Sequence, residues 1–274
     1  MDLATIIGLV LGIVVVIVVM IMDGGSPAEL FAHPSAVILT VGGALAAAMI
    51  TVPLKTIVGF PQLLLHAIKG HKEDIPGSIE ALVKMADKAR REGLLALEED
   101  SKKVHDPFLR RGLMLVVDGV DPAQVRAILE IEIAHMQERH ALGIGLLNSM
   151  GGFAPTMGII GTVMGLITVL KNLSDPGSLG KSIAAAFLAT LWGILTANVF
   201  WLPLAGKLQH NSHEEVAFRH MLLEGVLALQ AGENPRILKE KLSGFLPPKA
   251  RVAADKAAAK EAGKAGKPAE AGAD

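Results

Sequence analysis

Four stretches of the chain carry no Asp, Glu, Lys, Arg or His: residues 3–22, 34–54, 141–170 and 182–206. A hydrocarbon core about 30 Å thick is crossed by a helix of about 20 apolar residues. Each stretch is near or above that length, so the pattern predicts four transmembrane helices. Between the second and third, the pattern changes to that of half-buried helices. In "SIEALVKMADKARREG", Ile79, Leu82, Val83 and Ala86 recur at helical spacing after Pro76 and Gly77, with Gly93 as the stop. "DPAQVRAILEIEIAHMQERH" offers Asp121 as N-cap and Pro122 at the first helical position, with Val125, Ile128, Leu129 and Met136 on one side. No breaker separates it from the third apolar stretch, so one long helix should join the two. After the fourth stretch, "HNSHEEVAFRHMLLEGVLALQAGENP" predicts another amphipathic helix that ends near Gly232. From Pro248 to Asp274 the chain is alanine-rich and charged with almost no large apolar residue, the composition of a disordered tail.

The expected fold is therefore all-α: a polytopic membrane protein with four transmembrane helices and a helical cytoplasmic domain. Its parts are transmembrane helices 1 and 2 over residues 1–54, a cytoplasmic helical segment over 55–140, and transmembrane helices 3 and 4 over 141–206. A cytoplasmic amphipathic helix over 207–247 and the tail over 248–274 complete it. Composition agrees, since 51% of the 274 residues are hydrophobic and only 4% aromatic, which excludes a soluble globular domain. A net charge of −1 argues against a nucleic-acid binder, and the absence of cysteine excludes disulfides and thiolate metal sites. Lys and Arg are unevenly placed. There are thirteen from Lys55 to His140 and eleven from Lys207 onward, against none in "DGGSPAELFAH" and two in "KNLSDPGSLGK". Positive charge is retained on the cytoplasmic side, so both termini and the large middle segment should face the cytoplasm. "MDLATIIGLV" opens on an acidic residue and runs directly into apolar sequence, so the first helix is expected to remain in the mature protein.

Candidate chemistry sits in the last two apolar stretches. Pro155, Gly158, Thr162 and Gly165 are spaced three, four and three apart and share one helix face. Ala186, Thr190, Gly193 and Ala197 form a comparable stripe, with Pro203 near its end. Small residues at this spacing mark close helix contact in lipid, and Gly161 joins the candidate packing set. No span interior contains an ionisable side chain. A cation crossing there needs oxygen ligands or a titratable group, so either the protein moves no ions or a partner supplies the carboxylate.

At these residues the chain resembles the MotA/PomA family, the larger membrane subunit of the bacterial flagellar stator. The blocks that carry the resemblance are "MDLATIIGL", "MADKARREGLLALEE", "VDGVDPAQV", "ERHALG", "APTMGIIGTVMGL", "KNLSDPGSLGKSIAAAFLATLWG", "WLPLAGKL" and "GVLALQAGENPR". They occur in order from residue 1 to about 247. The resemblance implies a homo-pentamer in the bacterial inner membrane around a dimer of a MotB/PomB-type subunit, whose membrane aspartate is the missing carboxylate. It implies no bound cofactor, only a translocated proton or sodium ion. It places Pro155, Thr162, Thr190 and Pro203 on the ion path and its coupling. It assigns Arg90, Arg91 and Glu98 to contact with the rotor protein FliG. Thr162 matches sodium-driven relatives and leans the ion, proton or sodium, towards sodium, whereas Ala189 before Thr190 departs from their paired threonines. Two other readings follow from the residues. One is an energiser of the ExbB/TolQ type, which has three spans. The other is a membrane-embedded metal-dependent enzyme using His210, His213, Glu214 and His220.

Overall fold

The computed structural model describes residues 3–70, 73–172, 176–246, 248 and 251; the tail expected over 248–274 otherwise lies outside them. Among the described residues every regular element is helical. α1 (Leu3–Met22) is followed by a 3-10 turn over Pro27–Phe31. α2 (Pro34–Val37), a π-turn over Ile38–Gly42 and α3 (Gly43–Met49) then run on without interruption. Next come α4 (Leu54–Val58), α5 (Phe60–Lys69), α6 (Ile75–Glu92), a 3-10 turn over Leu94–Leu97, α7 (Glu98–Lys103) and α8 (Pro107–Val117). The long α9 covers Pro122–Lys171, and α10 (Pro176–Thr196), a second π-turn over Ala197–Trp201 and α11 (Leu202–Gln230) form another continuous helix. α12 (Pro235–Ser243) is last.

Asp121 accepts from the Ala123 amide at 2.9 Å and opens α9, which spans 50 residues as the unbroken sequence pattern predicts. Among the described residues three helices are long and apolar enough to cross a membrane: Leu3–Met22, Pro122–Lys171 and Leu179–Gln230. Pro34–Met49 is apolar but shorter. It stops there because Pro53 lacks an amide hydrogen and biases its predecessor away from helix; Ile50 and Thr51 close the last turn with bonds to Ala47 and Ala48.

Two expectations need correction. The amphipathic stretch after residue 206 is no new helix but the continuation of the fourth apolar stretch through Pro203. The preceding π-turn explains the passage, because a wider turn displaces the carbonyl that a proline ring otherwise strikes. The same sequence region also holds a second helix, α12, capped by Asn234, whose side chain accepts from the Arg236 amide at 2.9 Å. Gly232, at φ 68°, makes the turn between them, a conformation that favours glycine.

The chain divides into two compact units, residues 1–71 with 137–212 and residues 72–136 with 213–274. The first is apolar and thinly filled. Its buried side chains are largely alanines, among them Ala36, Ala44, Ala48, Ala154, Ala186, Ala189 and Ala197, and α1 buries none of its residues. α5 belongs here, with Ala67 packed among Leu147, Leu204, Ala205 and Leu208. The second unit is a water-soluble type of core, built on Leu82, Leu97, Leu113, Leu129, Leu222, Leu229 and Leu238, all about fully buried. α12 docks on α6 beside Gly225, where a Cβ would stand 2.5 Å from Leu82 Cδ1. Arg219 stitches this core to α8. Its guanidinium lies 2.5 Å from Asp106, the α8 N-cap, and 5.4 Å from the centre of the Phe108 ring.

Candidate functional site

The two small-residue stripes close on one another within the apolar unit. A Cβ on Gly158 would stand 2.9 Å from the Ala189 carbonyl oxygen, and one on Gly193 would stand 2.5 Å from that of Ala154. Gly161 faces the Ala189 methyl and Gly165 that of Ala186, each at 2.5 Å from such a Cβ. These are backbone-to-backbone approaches that no larger residue fits, and in lipid they supply the dispersion contact that holds helices together. Between them, Thr162 and Thr190 hydrogen-bond to each other through their hydroxyls. The Thr162 hydroxyl lies 3.2 Å from both the Gly158 and the Ala186 carbonyl oxygens, and that of Thr190 lies 3.4 Å from the Gly158 oxygen, so the two protons are shared among these acceptors. Both threonines are half-buried.

The two proline turns are neighbours. Pro155 lies inside α9, half-buried, and Pro203 lies exposed in the first turn of α11. Gly151, one turn before Pro155, packs against Leu202, immediately before Pro203: a Cβ at 151 would stand 2.5 Å from Leu202 Cδ2. Sequence reasoning missed Gly151, although it extends the 155–158–162–165 stripe by another helical step of four. It also missed Trp192, whose indole donates to the Leu30 carbonyl at 2.9 Å and ties the Pro27–Phe31 turn to α10.

The charged candidates lie in the other unit. Arg90 and Arg91 end α6, where positive charge complements free carbonyls, and Glu98 opens α7, where negative charge complements free amides. Gly93, at φ 88°, turns the chain between them. All three charged side chains are exposed; Arg91 pairs with Asp87 at 2.8 Å and Glu98 with Lys102 at 2.9 Å. Behind them Lys88 meets Asp100 at 2.8 Å and links α6 to α7. That hydrogen bond raises the Lys88 pKa and lowers that of Asp100. His210, His213, Glu214 and His220 are each exposed, and among the described residues no group of three or more His, Cys, Asp or Glu side chains gathers in a form that could hold a metal.

Residues 100–221 match the MotA/TolQ/ExbB proton channel family. The chain is 43% identical over 254 residues to Motility protein A of Treponema pallidum, covering 92% of this chain and 96% of that one. It is 37% identical over 246 residues to Chemotaxis protein PomA of Vibrio alginolyticus, covering 90% and 96%. Among solved structures, the flagellar MotAB stator complex of Bacillus subtilis matches with a TM-score of 0.83 at 39% identity, over 90% of this chain and 97% of that one. C. jejuni MotAB matches with a TM-score of 0.86 at 33% identity over the same shares. The chain belongs to the MotA/PomA family.

With three long apolar helices among its described residues, this MotA-family chain is a multi-pass membrane protein. The seam of α9 and α10 is a row of oxygen donors in a segment without an ionisable side chain from residue 141 to 170. Such a surface can orient water or strip part of a cation's hydration shell, but it has no group of its own to accept a proton.

Proposed function

We propose that this chain is the ion-conducting large subunit of a bacterial flagellar stator. With a MotB/PomB-type subunit it passes a cation through the inner membrane and turns that flow into torque on the rotor protein FliG. The observation that carries the reading is the α9–α10 seam, which has hydroxyls, carbonyls and two proline turns but no carboxylate, so that conduction is shared with a partner that brings one. In this reading Pro34–Met49 crosses the bilayer as a fourth, shorter span, both termini lie in the cytoplasm, and five copies surround the partner. The Pro155 and Pro203 turns, joined through Gly151 and Leu202, carry the shift in packing that follows ion binding at the partner's aspartate. One charge moving through 100 mV delivers about 2.3 kcal/mol, so torque accumulates from many small steps.

Sodium is the cation that the seam favours. Thr162 and Thr190 hydroxyls beside the Gly158 and Ala186 carbonyls cluster oxygens that can replace hydration, whereas a proton needs only the carboxylate and a water path. Reconstitution in liposomes tests the function: selective current requires both subunits and is lost when the partner's aspartate becomes asparagine. A selective current from this chain alone overturns it. Swimming speed measured against sodium at fixed pH tests the ion, and indifference to sodium assigns the proton instead.

A further inference from the structure

Among the described residues of the second unit, Leu95 is the most exposed large apolar side chain, ahead of Ile237 at 62% and Ile131 at 58%. It is 75% exposed, while Leu97, two residues on, is fully buried and Leu94 is half-buried. The Leu94–Leu97 turn is held on every side. Gly93 donates to the Ala89 carbonyl at 2.8 Å, Ala96 donates to that of Gly93 at 3.2 Å, and Lys88–Asp100 closes the helices that flank it. The side chain is thus presented outward by a fixed support. Its sequence neighbours are polarised: Arg90, Arg91 and Glu92 close the helix before it and Glu98 and Glu99 open the helix after it, all exposed. A rigid apolar knob inside a rim of charges is the anatomy of an interface anchor, in which burial of the centre supplies affinity and the rim sets orientation.

We infer that Leu95 is the apolar anchor of the surface through which this unit grips a protein partner. That partner presents a leucine-sized apolar pocket, with acidic groups on the side facing Arg90 and Arg91 and basic groups on the side facing Glu98 and Glu99. The inference rests on the reading that this charged edge meets the rotor, and adds that charge alone does not hold the contact. An isolated exposed ion pair contributes little, so a purely electrostatic contact would fail as salt rises.

The chain has no cysteine, so Leu95→Cys introduces a single thiol. The full chain, assembled with a cysteine-free partner subunit in nanodiscs, is exposed to a maleimide with and without saturating rotor protein. Glu99→Cys, on the flank, is run in parallel. Expected is a slowing of Leu95→Cys labelling by about tenfold on adding rotor protein, with slowing also at Glu99→Cys. Independently, Leu95→Ala weakens rotor binding about tenfold while Leu95→Met restores it, the range of an interface anchor. Protection at Glu99→Cys but not at Leu95→Cys overturns the anchor and leaves the rotor contact standing. Protection at neither overturns both. Slow labelling of Leu95→Cys before rotor protein is added means that another copy covers it, and overturns the anchor too.

Discussion

The α9–α10 seam and the leucine core around α6, α8 and α11 are two solutions to packing in one chain. In the seam the closest contacts are glycine to carbonyl and glycine to methyl. In the core they are among fully buried Leu82, Leu113, Leu222 and Leu229. The difference follows from the solvent. Lipid tails are as apolar as leucine, so burying a large side chain between membrane helices gains little over leaving it outside. Close backbone approach and interhelical hydrogen bonds remain as the specific attractions. In water, each buried leucine removes apolar area worth about 25 cal/mol per Å², and bulk is what counts. One residue type therefore has opposite value in the two places.

Substitutions can break that comparison. The largest effect is expected for Leu222→Ala, which leaves a cavity in the leucine core and costs about 2–5 kcal/mol. Hydrogen exchange should show lost protection in α8 and α11, with the seam unaltered. Gly193→Ala adds only one methyl, yet it strikes the Ala154 carbonyl and costs about 1–3 kcal/mol by overpacking. Gly145→Ala, where a Cβ would meet nothing within 4 Å beyond its own helix backbone and chain neighbours, is the control and should be neutral or stabilising by a fraction of that. Heating the detergent-solubilised protein while monitoring helicity separates the two. Thr162→Val keeps the seam's shape and removes the hydroxyl. It should cost about 0.6 kcal/mol, no more than about 1.7, and under the sodium reading proposed above it flattens the dependence of swimming speed on sodium.

The smallest effect belongs to Lys88→Met, because the Lys88–Asp100 pair is a third exposed. Its pH dependence gives it away. Asp100 is held below its usual range, first by the Lys88 hydrogen bond and then by the charges of Lys88 and Lys103, against burial acting the other way. A lowered carboxylate pKa contributes stability above the unfolded value and loses it as pH falls through the folded value. Lys88, raised first by the same bond, contributes below the unfolded amine value and loses it as pH rises through the folded one. The melting difference between the parent and Lys88→Met should therefore be largest near neutrality and vanish in acid.

The sequence pattern made much of this legible. Charge-free runs located the apolar helices, and Asp121–Pro122 marked the start of a helix that runs into the third of them. The same signal occurs at Asp106–Pro107, where Asp106 accepts from the Leu109 amide at 2.8 Å and α8 begins, and again as Asn234–Pro235 before α12. Both helices were open to the argument applied at Asp121. The partnering of the stripes was not. Spacing shows that Gly158 and Thr162 share a face, but only tertiary structure shows that the face opposite is that of Ala186 and Thr190. Nor does a one-dimensional pattern reveal a π-turn. Thr40 and Thr196 each bond back to the carbonyl four residues earlier, at 2.9 and 2.7 Å, within or just before such a turn, a habit that bends helices and is invisible in hydropathy.

The wide turn at Ala197–Trp201 also has a geometric legacy. It lodges about one extra residue in a single winding, so Pro203 and Leu204 point about 100° away from where a uniform helix continued from Thr190 would aim them. A helical wheel drawn straight through the joint misplaces every later side chain. Deleting a single residue there would leave composition and hydropathy almost untouched while swinging the second proline off its bearing.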